Sequence, residues 1–257
     1  MKIVPIALNT FRESVRDRVL YNLVLFVLLL IVAAMALSQI AVGQEPKIIV
    51  DVGLSAMTLF GVLIATFIGI GLVSKEIEKR TIAIILSKPV RRSAFILGKY
   101  LGLSLTLFVN TAVMALAIML ALIFVKSGFD LIQLNLWSAA YLVFLELSIV
   151  TAVALLFSCF SSPALSALFT LLVFLIGRWS PDLKLFAETS GSVWTRTVCR
   201  LLYHLLPNLA NFNYINETAA GQAVPMAAVI GNTVYAAGYV AALLAASLLI
   251  FERRDFK

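Results

Sequence analysis

The sequence predicts an all-α integral membrane protein with six transmembrane helices, and three observations carry that expectation. Of its 257 residues, 62% are hydrophobic and 13% charged, far from the roughly 45–50% apolar and 25% charged composition of soluble domains. The apolar residues fall in runs that reach the roughly 17 to 25 residues a helix needs to cross a bilayer. Basic residues gather between particular runs, as they do in the cytoplasmic loops of membrane proteins. Neither an internal repeat nor a low-complexity linker divides the chain, so residues 1–257 read as a single integral membrane domain.

Taken in order, residues 3–19 place Val4, Leu8, Phe11, Val15 and Val19 opposite Asn9, Arg12, Glu13, Arg16 and Asp17, with Pro5 suited to a first turn. This is the pattern of an amphipathic helix lying on the inner surface. The apolar run that follows exceeds the roughly 7 to 15 residues of a signal-peptide core, so the segment reads as retained. Spans are expected at 20–41, 52–74, 100–125, 136–157, 163–179 and 226–251. Only Ser158, Cys159, Phe160, Ser161, Ser162 and Pro163 mark the turn between the fourth and fifth. Residues 136–179 nevertheless make about twice the length of one crossing, which forces a hairpin.

Charge tests this layout with both termini inside. Fourteen of the twenty Lys and Arg then fall in inner segments and six in outer ones, the bias the positive-inside rule requires. Cys159 is expected inside and Cys199 outside, too few and too far apart for a disulfide framework. Arg178 and Trp179 are expected to end the fifth span at the outer interface, with the cation snorkelling to water. The net charge of +7 does not point to nucleic acid, because the basic residues flank apolar spans and no recognition module is visible.

The longest charged segment between two apolar regions, residues 75–102, carries seven of the basic residues. Lys75 to Ser87 is expected to form a short helix that stops before Pro89, since a residue preceding proline is driven out of helical dihedrals. Its wide apolar side holds Ile77, Ile82, Ile84, Ile85 and Leu86, and its polar side Glu76, Lys79, Arg80 and Ser87.

The pattern Glu76-x-Glu78-x-Arg80-Thr81-Ile82, then Leu86-Ser87-x-Pro89-Val90-x-Arg92, then Leu97-Gly98-Lys99-x-x-Gly102 resembles the first cytoplasmic loop of the type 2 ABC export permeases, and is most similar to their NosY-like branch. The resemblance implies a coupling helix between spans 2 and 3 that docks on a separate ABC ATPase, present in two copies, through Glu76, Glu78, Arg80, Thr81, Ile82, Ile84, Ile85 and Pro89. It further implies a second permease copy in a homodimer and a bacterial inner membrane. ATP and Mg would be bound by the ATPase, with no cofactor in this chain. The expected function is therefore the permease subunit of an ATP-driven exporter.

The outer segment from Ser180 to Pro225 is too long to be structureless. Trp194, Val198, Leu201, Leu202 and Leu205 oppose Arg196, Arg200 and His204, the period of an interfacial helix ended by Pro207. By similarity to the same permeases, short helices here would dip into the outer leaflet and gate the exit, with Trp194, Leu201 and Leu205 on the gate helix; the pattern alone suits a simple surface helix equally.

The residues exclude several chemistries. Gly98-Lys99 is followed by Tyr100 where a phosphate-binding loop requires Ser or Thr, and no glycine stands five residues before Gly98. A second polypeptide must therefore bind the nucleotide. One histidine, His204, supplies neither a zinc-protease ligand set nor a serine triad, so the chain is not read as an enzyme and no metal site is expected. The rival reading is an ion-coupled secondary transporter using Glu146, the one carboxylate near the centre of a span. Asn110, Tyr235 and Tyr239 lie at comparable depth and are its expected hydrogen-bond donors. Glu146 is either a structural tie between spans or a contact for substrate or protons.

Overall fold

The computed structural model describes residues 3–14, 45–78, 92–126, 131–189 and 193–253, together with residues 25, 26, 29 and 32. Among these every regular element is a helix, and none is a strand. In chain order the elements are α1 (Ile3–Ser14), α2 (Glu45–Glu78), α3 (Arg92–Lys126), α4 (Leu131–Ser158), α5 (Pro163–Arg178), α6 (Ser180–Thr189), α7 (Val193–Leu205), a 3₁₀ turn (Leu209–Phe212), α8 (Ile215–Ala219) and α9 (Met226–Arg253). Helix is what lipid demands, because each backbone N–H and C=O must find its partner inside the segment.

Among the described residues, four helices are long and apolar enough to cross a membrane, through Pro46–Gly71, Ser93–Val125, Asn135–Ser158 and Met226–Phe251. A fifth crossing is reached only if α5 and α6 are taken together across a 65° bend. The chain is thus a multi-pass membrane protein. The expected span at 20–41 lies almost wholly outside the described residues.

Successive helices run antiparallel, which sorts the elements to two ends. At one end lie α1, the start of α3, the α4–α5 turn and the end of α9, where Phe95 and Phe251 stack with centroids 6.1 Å apart. At the opposite end lie the start of α2, the end of α3, the start of α4, α6, α7 and α8. Helix α4 forms the centre, packing against α2, α3, α5 and α9. Its contacts bury Leu136, Leu142, Leu147, Ile149 and Val150.

Helix α1 covers Ile3–Ser14 of the expected 3–19, and residues 15–19 lie outside the described residues. It has two working faces. Val4 and Leu8 are exposed, as a lipid-facing stripe should be, while Ile6, Ala7 and Thr10 lie against α3. The approach is close because α3 presents glycine there. A Cβ on Gly102 would stand 2.5 Å from the Ala7 carbonyl oxygen and 2.6 Å from Thr10 Cβ, and one on Gly98 2.7 Å from Ile6. Lys99, between the two glycines, is 4% exposed and lies 4.0 Å from the Glu13 carboxylate. Its ammonium also stands 5.7 Å from the centre of the Phe95 ring, within range of a cation–π attraction.

Substituting Gly102 by alanine should therefore push α1 off α3 and lower stability by about 1 to 3 kcal/mol, the usual cost of overpacking. Gly238 in α9 has nothing within 4 Å of a built Cβ, so Gly238→Ala should leave stability unchanged or raise it. Thermal unfolding of the purified protein in detergent distinguishes the two.

Candidate functional site

The α4–α5 hairpin carries the one buried charge pair described in the interior. Glu146 lies twelve residues before the end of α4 at Ser158, and Arg178 fifteen residues after the start of α5 at Pro163. At about 1.5 Å per residue these are roughly 18 and 22 Å from the turn, so two antiparallel helices bring them to nearly the same level. Arg178 Nη1 donates to both carboxylate oxygens, at 2.8 Å to Oε1 and 2.9 Å to Oε2. Glu146 is 0% exposed and the Arg178 side chain 22%. One nitrogen bridging both oxygens balances the charge that isolated burial would penalise by several kcal/mol.

This corrects the expectation for Arg178. Its guanidinium turns to Glu146 instead of snorkelling to an outer interface. Helix α5 has 16 residues, about 24 Å, short of a hydrocarbon core of about 30 Å. The chain then bends by 65° at Trp179 into α6. Pro181 explains the break, since it has no N–H for the Gly177 carbonyl and its ring clashes with the preceding turn.

The expected partners of Glu146 are engaged elsewhere or not at all. Asn110 is buried, with neither amide atom hydrogen-bonded. The Tyr235 hydroxyl accepts from the Asn208 backbone N–H at 2.8 Å, and the Tyr239 hydroxyl donates to the Leu205 carbonyl at 3.3 Å. Asn232 Nδ2 donates to the Asn211 carbonyl at 2.7 Å. Residues 232, 235 and 239 share one face of α9 at helical spacing, and together they hold the segment 205–211 against the bundle.

The same segment is clamped from the other side by α5. A Cβ on Gly177 would stand 2.6 Å from the Pro207 carbonyl oxygen and 2.9 Å from Leu209 Cγ, so only glycine permits this contact. The break at Trp179, the buried pair and the strap at 205–211 therefore form one unit. Sequence reading noted Arg178 and Pro207 but did not connect them. The missed signal was hairpin register: residues nearly equidistant from a tight turn meet, and Glu146 and Arg178 satisfy that within the reach of an arginine side chain.

Helix α7 turns its apolar face outward. Trp194 is 83% exposed, and Leu201 and Leu205 are also exposed, whereas Cys199 on the other face is buried. The three expected gate residues thus do not pack into their own bundle. Cys159 is buried as well, so neither native thiol presents itself to solvent.

On the loop between α2 and α3 the structure alters one boundary. Residues 75–78 continue α2 without interruption, so they do not begin a separate helix. Glu76 and Glu78 lie on that last turn, with side chains outside the described residues. Arg80, Thr81, Ile82, Ile84, Ile85 and Pro89 lie outside the described residues altogether. The segment that holds them joins two of the longest helices, of 34 and 35 residues.

A family model described as ABC-2 family transporter protein matches residues 4–256. The chain belongs to that family. It is therefore a membrane permease subunit of an ABC transporter, and the family works with an ABC ATPase partner. No curated protein matches the chain.

Breaking the buried pair from one side should destabilise the permease strongly. Glu146→Leu strands the Arg178 cation and should cost about 3 to 5 kcal/mol, whereas the double variant Glu146→Leu with Arg178→Leu should recover most of it. Glu146→Gln, which keeps an acceptor, should fall between. A double-mutant cycle from thermal unfolding measures the coupling directly.

Proposed function

We propose that this permease serves an ATP-driven exporter in a bacterial inner membrane, most similar to the NosY-like branch, with the α1 end facing the cytoplasm. Residues 20–41 supply the first of six spans, and a second copy completes a homodimer. The chain itself carries out no catalysis; two ATPase copies bind ATP and Mg and hydrolyse the nucleotide.

In this reading the loop after α2 carries the coupling helix. The observation that supports it best is the family match along 4–256 together with the continuity of α2 through residue 78. A docked ATPase that moves this loop would move two long helices, since α2 is continuous up to residue 78 where the loop begins. Glu76, Glu78, Arg80 and Thr81 orient the loop on the ATPase, Ile82, Ile84 and Ile85 fill its groove, and Pro89 ends it. At the opposite end, Trp194, Leu201 and Leu205 lie on a gate helix, and their outward exposure leaves them available to lipid or to the second copy. The Arg178 nitrogen that bridges both carboxylate oxygens favours a structural Glu146 over an ion-coupling one, because both oxygens are already engaged by a partner within the chain.

Truncating a well-buried aliphatic side chain at an interface costs about 2 to 4 kcal/mol when it is a hot spot. Ile84→Ala and Ile85→Ala should each weaken ATPase binding or uncouple hydrolysis from transport, while Lys75→Ala should change little. The direct measurement is cysteine crosslinking from Thr81→Cys or Ala83→Cys to the ATPase during turnover. Coupled transport retained by both isoleucine variants, with no crosslink from either position, would remove the loop as the transmission element.

Sidedness is tested with introduced thiols, since the native pair is buried. Ser162 in the α4–α5 turn and Thr197 in α7 are both exposed. An impermeant thiol reagent added to intact cells should label Thr197→Cys and spare Ser162→Cys; the reverse pattern inverts the proposed orientation.

A further inference from the structure

We propose that the strap at 205–211, the α9 face that holds it and Arg178 form the wall of a water-filled vestibule, which enters the membrane from the α6–α8 end and reaches its middle. The strap is pinned at three heights. Asn232 donates to the Asn211 carbonyl at 2.7 Å, Tyr235 accepts from the Asn208 N–H at 2.8 Å, and Tyr239 donates to the Leu205 carbonyl at 3.3 Å. Counted from Met226, these three side chains stand about 9, 14 and 20 Å along α9. The crossing Met226–Phe251 has 26 residues, about 39 Å, so about 4 or 5 Å at each end stands clear of a hydrocarbon core of about 30 Å. Asn211 therefore sits just inside that core, Asn208 deeper, and Leu205 near its middle.

Backbone of this kind does not face lipid. Peptide groups outside a helix ladder occur at membrane depth only where protein buries them or where they line a water-filled cavity. Protein does not enclose this segment: Asn211 and Asn213 are exposed, and Asn208 and Ala210 are half-buried. The α9 side chains that pin it, Asn232, Tyr235 and Tyr239, are half-buried as well.

Arg178 points the same way independently. It stands roughly 22 Å along α5, at middle depth, and 22% of its side chain is exposed although Glu146 is fully enclosed. An ionisable group at that depth faces the bundle interior or a wet cavity. The residue before it, Gly177, meets the Pro207 carbonyl, so the cation adjoins the strap. A contrasting surface lies on the same helix as the pins. Ile230 and Val234 are exposed at heights bracketing Asn232, and both are apolar, as a lipid-facing stripe should be. The vestibule needs neither ATP nor a partner, and so stands apart from the coupling proposed for the α2–α3 loop.

The test uses the purified full-length chain in lipid nanodiscs, with Cys159→Ser and Cys199→Ser as background. Single cysteines are placed at Asn211, Ala210 and Tyr239 on the wall, and at Ile230 and Val234 on the apolar face. A charged, water-soluble thiosulfonate should modify the wall positions about ten-fold faster than Ile230→Cys and Val234→Cys, while a lipid-soluble maleimide reaches all five. Asn211→Cys and Ala210→Cys leave the backbone bonds of the strap in place, so thermal unfolding of both should stay near that of the background. Hydrogen exchange of the parent reads the deepest part without substitution: amides of 205–211 should exchange at least ten-fold faster than those of α4 at the same height. Wall thiols as slow as Ile230→Cys would place the strap against lipid and overturn the vestibule. Fast reaction at Asn211→Cys with strap amides as protected as α4 would confine water to the membrane edge and overturn it equally.

Discussion

The contact between Arg178 and Glu146 governs where the fifth helix can end. A carboxylate with no exposed surface, in the central helix of the bundle, needs a cation brought to it at its own depth. The helix that follows, across a turn of only four residues (159–162), delivers it. Arg178 is therefore held some 22 Å along α5, at the last residue of that helix. Pro181 breaks it there, and α6 leaves at 65°. An ionic contact that contributes little net stability against an apolar alternative can still fix geometry, because the alternatives leave a charge stranded.

Packing around that contact follows from the absence of a hydrophobic drive between helices in lipid. Apolar side chains gain little by leaving acyl chains for one another, so close approach and hydrogen bonds decide which helices adhere. Gly102 lets α1 reach the backbone of α3, and Gly177 lets the strap reach the backbone of α5. Side chains on α9 then supply the polar half of the same arrangement, with Asn232, Tyr235 and Tyr239 satisfying backbone groups that follow α7. These backbone groups sit in an irregular segment where no helix ladder serves them, and in an apolar setting each would be expensive unpaired.

What the sequence made legible divides along the same physical line. The long crossings at 52–74, 100–125, 136–157 and 226–251 were readable, because each is a run of apolar residues whose length alone demands a helix. The hairpin at Ser158–Pro163 was readable for the same reason, despite carrying no charge. The pairing of Glu146 was not, since depth estimates placed Asn110, Tyr235 and Tyr239 nearby without saying which helix faces turn toward one another. The inner face of α1 was missed because Ala7 and Thr10 do not look hydrophobic; their value lies in being small. Residues 75–78 looked like the start of a loop helix on charge, but a helix ladder continues through charged residues once it has left the membrane, so charge marks the interface and not the end of the helix.

The two ends of the bundle are linked by elements of very different stiffness, and that contrast is what makes the fold suited to transmitting motion. Helices α2 and α3 run uninterrupted for 34 and 35 residues, and each is braced along its length by α4. Such helices move as units, because their internal hydrogen bonds leave no soft dihedral in the membrane. The other route from one end to the other, through α5, is broken at Trp179 and then passes through short helices and a strap held by a few hydrogen bonds. Under the coupling proposed above, a displacement applied at the α2–α3 loop would be carried along these continuous helices and taken up where the backbone is interrupted. The α5–α6 bend is the point where continuous helix gives way to short segments, and the buried pair lies on the continuous side.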